Sequence, residues 1–141
     1  MFISRATRHD LADIEELLTT HGWHEKTDLK EGVAYFARDG AVVGCVRLIE
    51  VAPQTQMVDS VLVREDRRRS GVGTALMKAA MNAKGGTMFL CCHEEALPFY
   101  AQFGFVSIPL EDCPPEVVAY LEKVGDVPAP EGHTHFYLKA R

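Results

Sequence analysis

The residues with the clearest chemical potential form one segment, Val58-Asp-Ser-Val-Leu-Val-Arg-Glu-Asp-Arg-Arg-Arg-Ser-Gly-Val-Gly-Thr-Ala-Leu-Met77, in which an apolar strand runs through a basic, glycine-spaced turn into a helix. A helix N-terminus leaves its first backbone N–H groups unpaired and carries about half a positive charge, so it is a natural anion site. Gly71 and Gly73 lack a Cβ and let a phosphate oxygen approach those donors. Arg64, Arg67, Arg68 and Arg69 put the densest positive charge of the chain beside the turn. Spacing excludes two nucleotide motifs. A dinucleotide fingerprint needs a third glycine where Leu76 stands, and the G-x-x-x-x-G-K-[ST] phosphate loop is absent. By itself R-x-x-G-x-G also fits an ordinary strand-to-helix turn with a solvated charge run.

Other reactive residues are less organised. His133-x-His135 would place two imidazoles on one face of a strand, but the sequence offers no third ligand, so no metal is expected and the pair reads as surface or substrate-pocket histidines. Cys92-His93 could suggest a thiol nucleophile and its base, yet neighbours on one strand diverge. Cys45, Cys91, Cys92 and Cys113 show no C-x-x-C spacing and read as buried thiols.

These residues must be positioned by one soluble domain, expected to span 1-141, with 47% hydrophobic and 25% charged residues. A net charge of -5 argues against general nucleic-acid binding. No apolar run reaches the roughly 20 residues needed to cross a bilayer, and Met1 to Thr7 lacks a signal peptide's apolar stretch, so a cytoplasmic protein without membrane partners is expected.

Periodicity predicts a strand over Phe2 to Ala6, then a capping box Thr7-x-x-Asp10 opening a helix with Leu11, Ile14, Leu17 and Leu18 on one face and Gly22 at its end. The polar stretch Trp23 to Gly32 is ambiguous, with a second short helix as one reading. Strands follow over Val33 to Arg38 and Ala41 to Val51, joined at Asp39-Gly40, and, after a Pro53 to Gln56 turn, over Met57 to Val63. A helix to Lys84 should bury Val72, Ala75, Leu76, Ala79 and Ala83. Beyond Gly85-Gly86 come a strand Met88 to Cys92, a helix Glu95 to Phe103 ended by Gly104, a strand from Phe105 to Pro109, a small helix Glu116 to Lys123 and a last strand His133 to Lys139. Hairpins early and strand–helix–strand units late imply an α/β (α+β) fold, a mixed sheet with helices on both faces.

The turn Arg68-x-x-Gly71-x-Gly73, together with Ala96-Leu-Pro-Phe-Tyr-Ala-Gln-Phe-Gly-Phe105, resembles two elements of the GNAT family of N-acetyltransferases, and the resemblance covers essentially the whole chain in order. It implies an acyl-CoA N-acyltransferase-like fold with a mostly antiparallel central sheet: strand, two helices, three antiparallel strands, helix, strand, helix and a closing strand pair. The segment from Glu111 to Pro130 is longer than the simplest version of that pattern. It further implies acetyl-CoA as cosubstrate and direct attack by an amine in a ternary complex. Leu62 and Val63 would offer backbone groups to the cofactor. The loop Arg68, Arg69, Ser70, Gly71, Val72, Gly73 and Thr74 would hold its pyrophosphate. Tyr100, the tyrosine facing the sulfur in the family, would protonate the departing thiolate, as a phenol titrating near ~10 can. Asp59 stands where related enzymes often place an acidic residue and is the candidate base, with Glu50 on the neighbouring strand; either could be a solvent-facing carboxylate. Trp23 and Glu50 are candidates for the acceptor pocket, which would take a small-molecule or peptide amine, and a homodimer is left open. Alternatives are a noncatalytic acyl-CoA-binding or regulatory domain, transfer of a longer acyl chain, or transfer to a hydroxyl.

Overall fold

The computed structural model describes residues 1–21 and 28–141. Among them, seven strands form one sheet in the order β1-β2-β3-β4-β5-β7-β6. These are β1 Phe2–Arg5, β2 Val33–Asp39, β3 Ala41–Ala52, β4 Thr55–Val63, β5 Thr87–Cys92, β6 Val106–Ile108 and β7 Phe136–Ala140. Four helices accompany them, α1 Leu11–Thr20, α2 Val72–Ala83, α3 Leu97–Ala101 and α4 Pro115–Lys123. The β1/β2, β2/β3, β5/β7 and β6/β7 ladders are antiparallel and β4/β5 is parallel. The mixed, mostly antiparallel sheet expected from sequence is the sheet observed. The chain forms two compact units, Met1–Ile49 with Val58–Gly85, and Glu50–Met57 with Gly86–Arg141.

In the first unit, strand alternation assigns the two sheet faces to different helices. Ile14, Leu17 and Leu18 of α1 cluster with Ala34 and Phe36 of β2 and Cys45 of β3. The residue before Cys45 points the other way, toward α2. A Cβ on Gly44 would lie 2.9 Å from Leu76 Cδ1 and 3.1 Å from Val72 Cγ1, so glycine here lets α2 sit close on the sheet. The buried residues of α2 are Val72, Leu76, Met77 and Ala80, not the predicted Ala75, Ala79 and Ala83. Burying the larger Met77 side chain gains more than burying alanines, and that rotates the helix face.

The capping box is half realised. Thr7 N–H donates to Asp10 Oδ2 at 2.8 Å and holds the Asp10 carboxyl below its usual range, while the helix proper begins at Leu11. The expected helix stop at Gly22 and the candidate acceptor residue Trp23 lie outside the described residues. The turn after β3 is shorter than predicted, because Gln54 accepts a φ of 59° and β4 already starts at Thr55.

In the second unit β7 lies between β5 and β6, with Leu90 opposite Leu138 and Cys92 opposite Phe136. The segment from Glu111 to Pro130 carries α4, which buries Val117, Tyr120 and Leu121. The predicted helix over Glu95 to Phe103 is a 3-10 turn, Glu94–Ala96, followed by the short α3. β7 starts at Phe136, so His133 and His135 precede the strand in place of standing on it. Gly104 takes the left-handed φ of 89° that ends the preceding turn.

Candidate functional site

β4 pairs with β5 over Thr55–Met57 and Thr87–Phe89 and then continues to Val63. Ser60 breaks its regularity with a φ of 54°, a bulge-like distortion in a strand with no glycine to absorb it. Sequence reading missed it, since no residue type there signals a left-handed backbone. Leu62 and Val63 are half-buried at the strand end.

The chain leaves β4 through a loop tied back by backbone and side-chain bonds. Arg64 N–H donates to Val43 O at 2.8 Å, and Arg68 Nε donates to Val63 O at 3.1 Å. A 3-10 turn, Glu65–Arg67, follows, and Ser70 Oγ donates to Arg67 O. Arg69 and Gly71 take φ values of 65° and 86°, turning the backbone so that α2 begins at Val72. Gly71 is the N-cap and no side chain caps the helix. The backbone donors of the first turn of α2 therefore have no side-chain acceptor of their own. A Cβ at Gly71 would meet nothing within 4 Å, so the space over the turn is open.

The four arginines divide into two pairs, a distinction the sequence cluster does not make. Arg64 forks onto Asp66, with Nε to Oδ1 and a terminal nitrogen to Oδ2 both at 2.6 Å. Arg67 reaches Asp39 at 2.6 Å. These bonds hold the Asp66 and Asp39 carboxyls below the usual carboxylate range. Arg68 and Arg69 are exposed beside the uncapped helix end.

The carboxylate candidates are also in different situations. Asp59 pairs with Arg47 at 3.4 Å, where the two side chains are 13% and 4% exposed, and it also accepts the N–H of Ser60. Arg47 in addition donates to Asp28 O at 2.7 Å and Glu31 O at 2.9 Å, fastening the loop ahead of β2. Sequence reasoning missed this anchor, although a lone arginine within the apolar run of β3 was a signal that it needed partners. Glu50 is exposed and its Oε2 accepts from the buried Gln56 Nε2 at 3.0 Å.

Tyr100 is buried on α3, edge-on to Phe99 and Phe105 at ring-centroid distances of 5.0 and 5.8 Å. Its ring thus belongs to an aromatic cluster, whatever its hydroxyl does. Burial pushes the Cys45 thiol up to about 12 and the Cys92 thiol up to about 11, which leaves both protonated near neutrality and poor nucleophiles. Cys91 is half-buried, less enclosed than the sequence implied. The third imidazole absent from the sequence pattern is His93, which the fold brings to His133 and His135.

Residues 30–107 match the sequence profile of the acetyltransferase (GNAT) domain. No curated protein matches the chain by sequence. Among solved structures, the chain resembles Rv2747 from Mycobacterium tuberculosis in complex with CoA, with a TM-score of 0.74 and 20% identity over 99% of this chain and 98% of that one. An acyl-CoA N-acyltransferase from Pseudomonas aeruginosa gives a TM-score of 0.70 at 17% identity, with both chains covered completely. N-acetylglutamate synthase from Neisseria gonorrhoeae, complexed with CoA and N-acetyl-glutamate, gives 0.73 at 17% identity, and all of this chain matches 35% of that larger protein. At such identities the structural likeness is one of fold, whereas the profile match covers more than half of the sequence, including β4, the basic loop and α2: the chain belongs to the GNAT acetyltransferase family.

Proposed function

We propose that the protein is an acetyl-CoA-dependent N-acetyltransferase, with residues 1–141 acting as one catalytic domain in the cytoplasm. The observation that carries this is the start of α2, an uncapped helix end behind a left-handed Gly71 with open space above it, in a chain of this family. In this reading the backbone N–H groups from Arg69 to Thr74 bind the pyrophosphate, and Arg68 and Arg69 supply screening charge. Backbone groups of Leu62 and Val63 align the thioester, and holding two reactants in register can contribute about 7–11 kcal/mol to the rate.

Chemistry then needs a neutral amine and a proton for the thiolate. The amine nitrogen attacks the thioester carbonyl, the carbon–sulfur bond breaks, and Tyr100 donates its phenolic proton to the leaving sulfur. For removal of the ammonium proton, Asp59 is the candidate from sequence, but its carboxylate is already committed to Arg47 and Ser60. Glu50 is exposed and accepts from the Gln56 amide, so we assign proton removal to Glu50 and the holding of β4 to Asp59. The acceptor is a small-molecule or peptide amine. The net charge of -5 favours a cationic one.

The deciding assay follows release of free CoA thiol from acetyl-CoA with a panel of amines, and mass spectrometry of the products. Turnover that depends on the amine and adds one acetyl group to it supports the reading. Tight CoA binding with no thiol release under any acceptor overturns it in favour of a noncatalytic acyl-CoA-binding domain.

A further inference from the structure

We propose that His93, His133 and His135 form a binding site for a late first-row divalent cation of the Zn2+ class. The fold itself creates the cluster. Cys92 at the end of β5 is opposite Phe136 at the start of β7, so the residue leaving one strand and those entering the other must meet at the same end of this antiparallel pair. The ring centroid of His93 lies 5.5 Å from that of His133 and 5.0 Å from that of His135, and His133 and His135 are 6.3 Å apart. One ring nitrogen from each lies within 4.8 Å of the others. A tetrahedral ion with bonds of about 2.0–2.1 Å needs its ligand nitrogens about 3.3 Å apart. Small rotations of side chains close that difference. His93 and His133 are exposed and free to make them.

A second observation concerns which lone pair is available. His135 Nδ1 lies 2.9 Å from the backbone carbonyl oxygen of Asp126. A carbonyl can only accept, so Nδ1 carries the proton of this bond, and the neutral ring presents Nε2 as a lone pair. Metal-binding histidines are typically held in this way, with the second ring nitrogen donating to a carbonyl or carboxylate that fixes tautomer and orientation. His135, the least exposed of the three, is thus oriented before any ion arrives.

Three neutral imidazoles suit Zn2+, Cu2+ or Ni2+ better than Mg2+ or Ca2+, which prefer oxygen donors. They leave a fourth position to water or another ligand. Cys91 and Asp126 also come within reach of His135 as a second trio, sharing that histidine. Bound by the three imidazoles, the ion would cross-link the end of β5 to the start of β7 and fix the 3-10 turn Glu94–Ala96, whose Ala96 N–H donates to His93 O at 3.1 Å. The site does not depend on the acyltransferase reading.

The test uses tag-free, chelator-treated full chain. Calorimetric titration with ZnCl2 and visible spectra with Co2+ should give one ion per chain, tetrahedral Co2+ bands and a rise in melting temperature that grows with free ion concentration. His93→Ala and His135→Ala should each weaken Zn2+ binding at least tenfold while circular dichroism stays that of the parent, and His9→Ala should change nothing. Binding that survives His93→Ala, or that Cys91→Ala abolishes, would move the ion to another donor set and overturn the assignment. Absence of saturable Zn2+ binding in the parent chain would overturn it outright.

Discussion

Replacing Asp59 by asparagine separates a carboxylate that holds the fold from one that takes a proton. The change keeps the side chain's shape and one carbonyl oxygen but removes the charge facing Arg47, whose side chain is only 4% exposed. Truncating one partner of a buried ion pair costs about 3–5 kcal/mol, because the other charge stays in a poor solvent. Here the loss is smaller, since Arg47 keeps its bonds to Asp28 O and Glu31 O and the new amide oxygen can still accept. We therefore expect about 1–3 kcal/mol. With a urea slope of about 1–3 kcal/mol/M, the unfolding midpoint should fall by about 1 M. Glu50→Gln changes an exposed residue and should stay within about 0.5 kcal/mol of the parent. The double replacement Arg47→Met with Asp59→Leu should not recover the lost stability, because it also takes the donor away from Asp28 O and Glu31 O. Urea unfolding and CoA thiol release measured on the same preparations decide the matter. An Asp59→Asn chain with an unchanged midpoint and kcat reduced a hundredfold or more would refute the holding role and make Asp59 the base. Full turnover in Glu50→Gln would remove Glu50 from the chemistry.

Three further outcomes test the cofactor site. Gly71→Val places a β-branched residue at a φ of 86°, so strain of order 1–3 kcal/mol should accompany loss of acetyl-CoA binding by calorimetry, and unchanged affinity in a folded variant would remove the helix end from the site. Arg68→Ala and Arg69→Ala should each weaken acetyl-CoA binding several-fold, with the deficit shrinking as salt rises, while Arg64→Ala, whose charge faces Asp66, should bind nearly as the parent does; equal effects from all three would contradict the division of the arginines. Tyr100→Phe preserves the packing against Phe99 and Phe105 and should lower kcat by about 10²–10⁴-fold with little change in melting temperature or acetyl-CoA affinity, whereas full activity under rate-limiting chemistry would leave the tyrosine a purely structural role.

What the sequence disclosed follows from the range of the forces involved. The order of strands and helices is set by local periodicity and by turn residues, and Gly40 and Gly104 take the positive φ that their turns demanded. The candidate phosphate loop could be proposed from sequence for the same reason, because its glycines and arginines lie close together in the chain. Ser60 and Gln54 were hidden, since nothing in an ordinary side chain announces a left-handed backbone that the surrounding sheet imposes. The apolar face of α2 was misread through its alanines, whose burial gains too little to set a helix rotation against Leu76 and Met77.

The basic cluster and the histidines share a deeper reason for their incomplete reading: a charge or a lone pair acquires its role from a partner that is distant in sequence. Arg67 finds Asp39 across the chain, and Arg47 finds Asp59 on the next strand, so the setting of each charge is decided by a partner that local sequence does not show. Arg68 and Arg69, the two that the family resemblance had already named, are exposed at the turn, while Arg64 and Arg67 face Asp66 and Asp39. The same logic works in the opposite direction at the other end of the chain. His133-x-His135 lacked a third ligand in sequence, and the antiparallel pairing of β5 with β7 delivers His93 to it. Strand register, which local sequence specifies weakly, is thus what converts isolated polar residues into sites, and it does so by removing some candidates from solvent while bringing others within bonding reach.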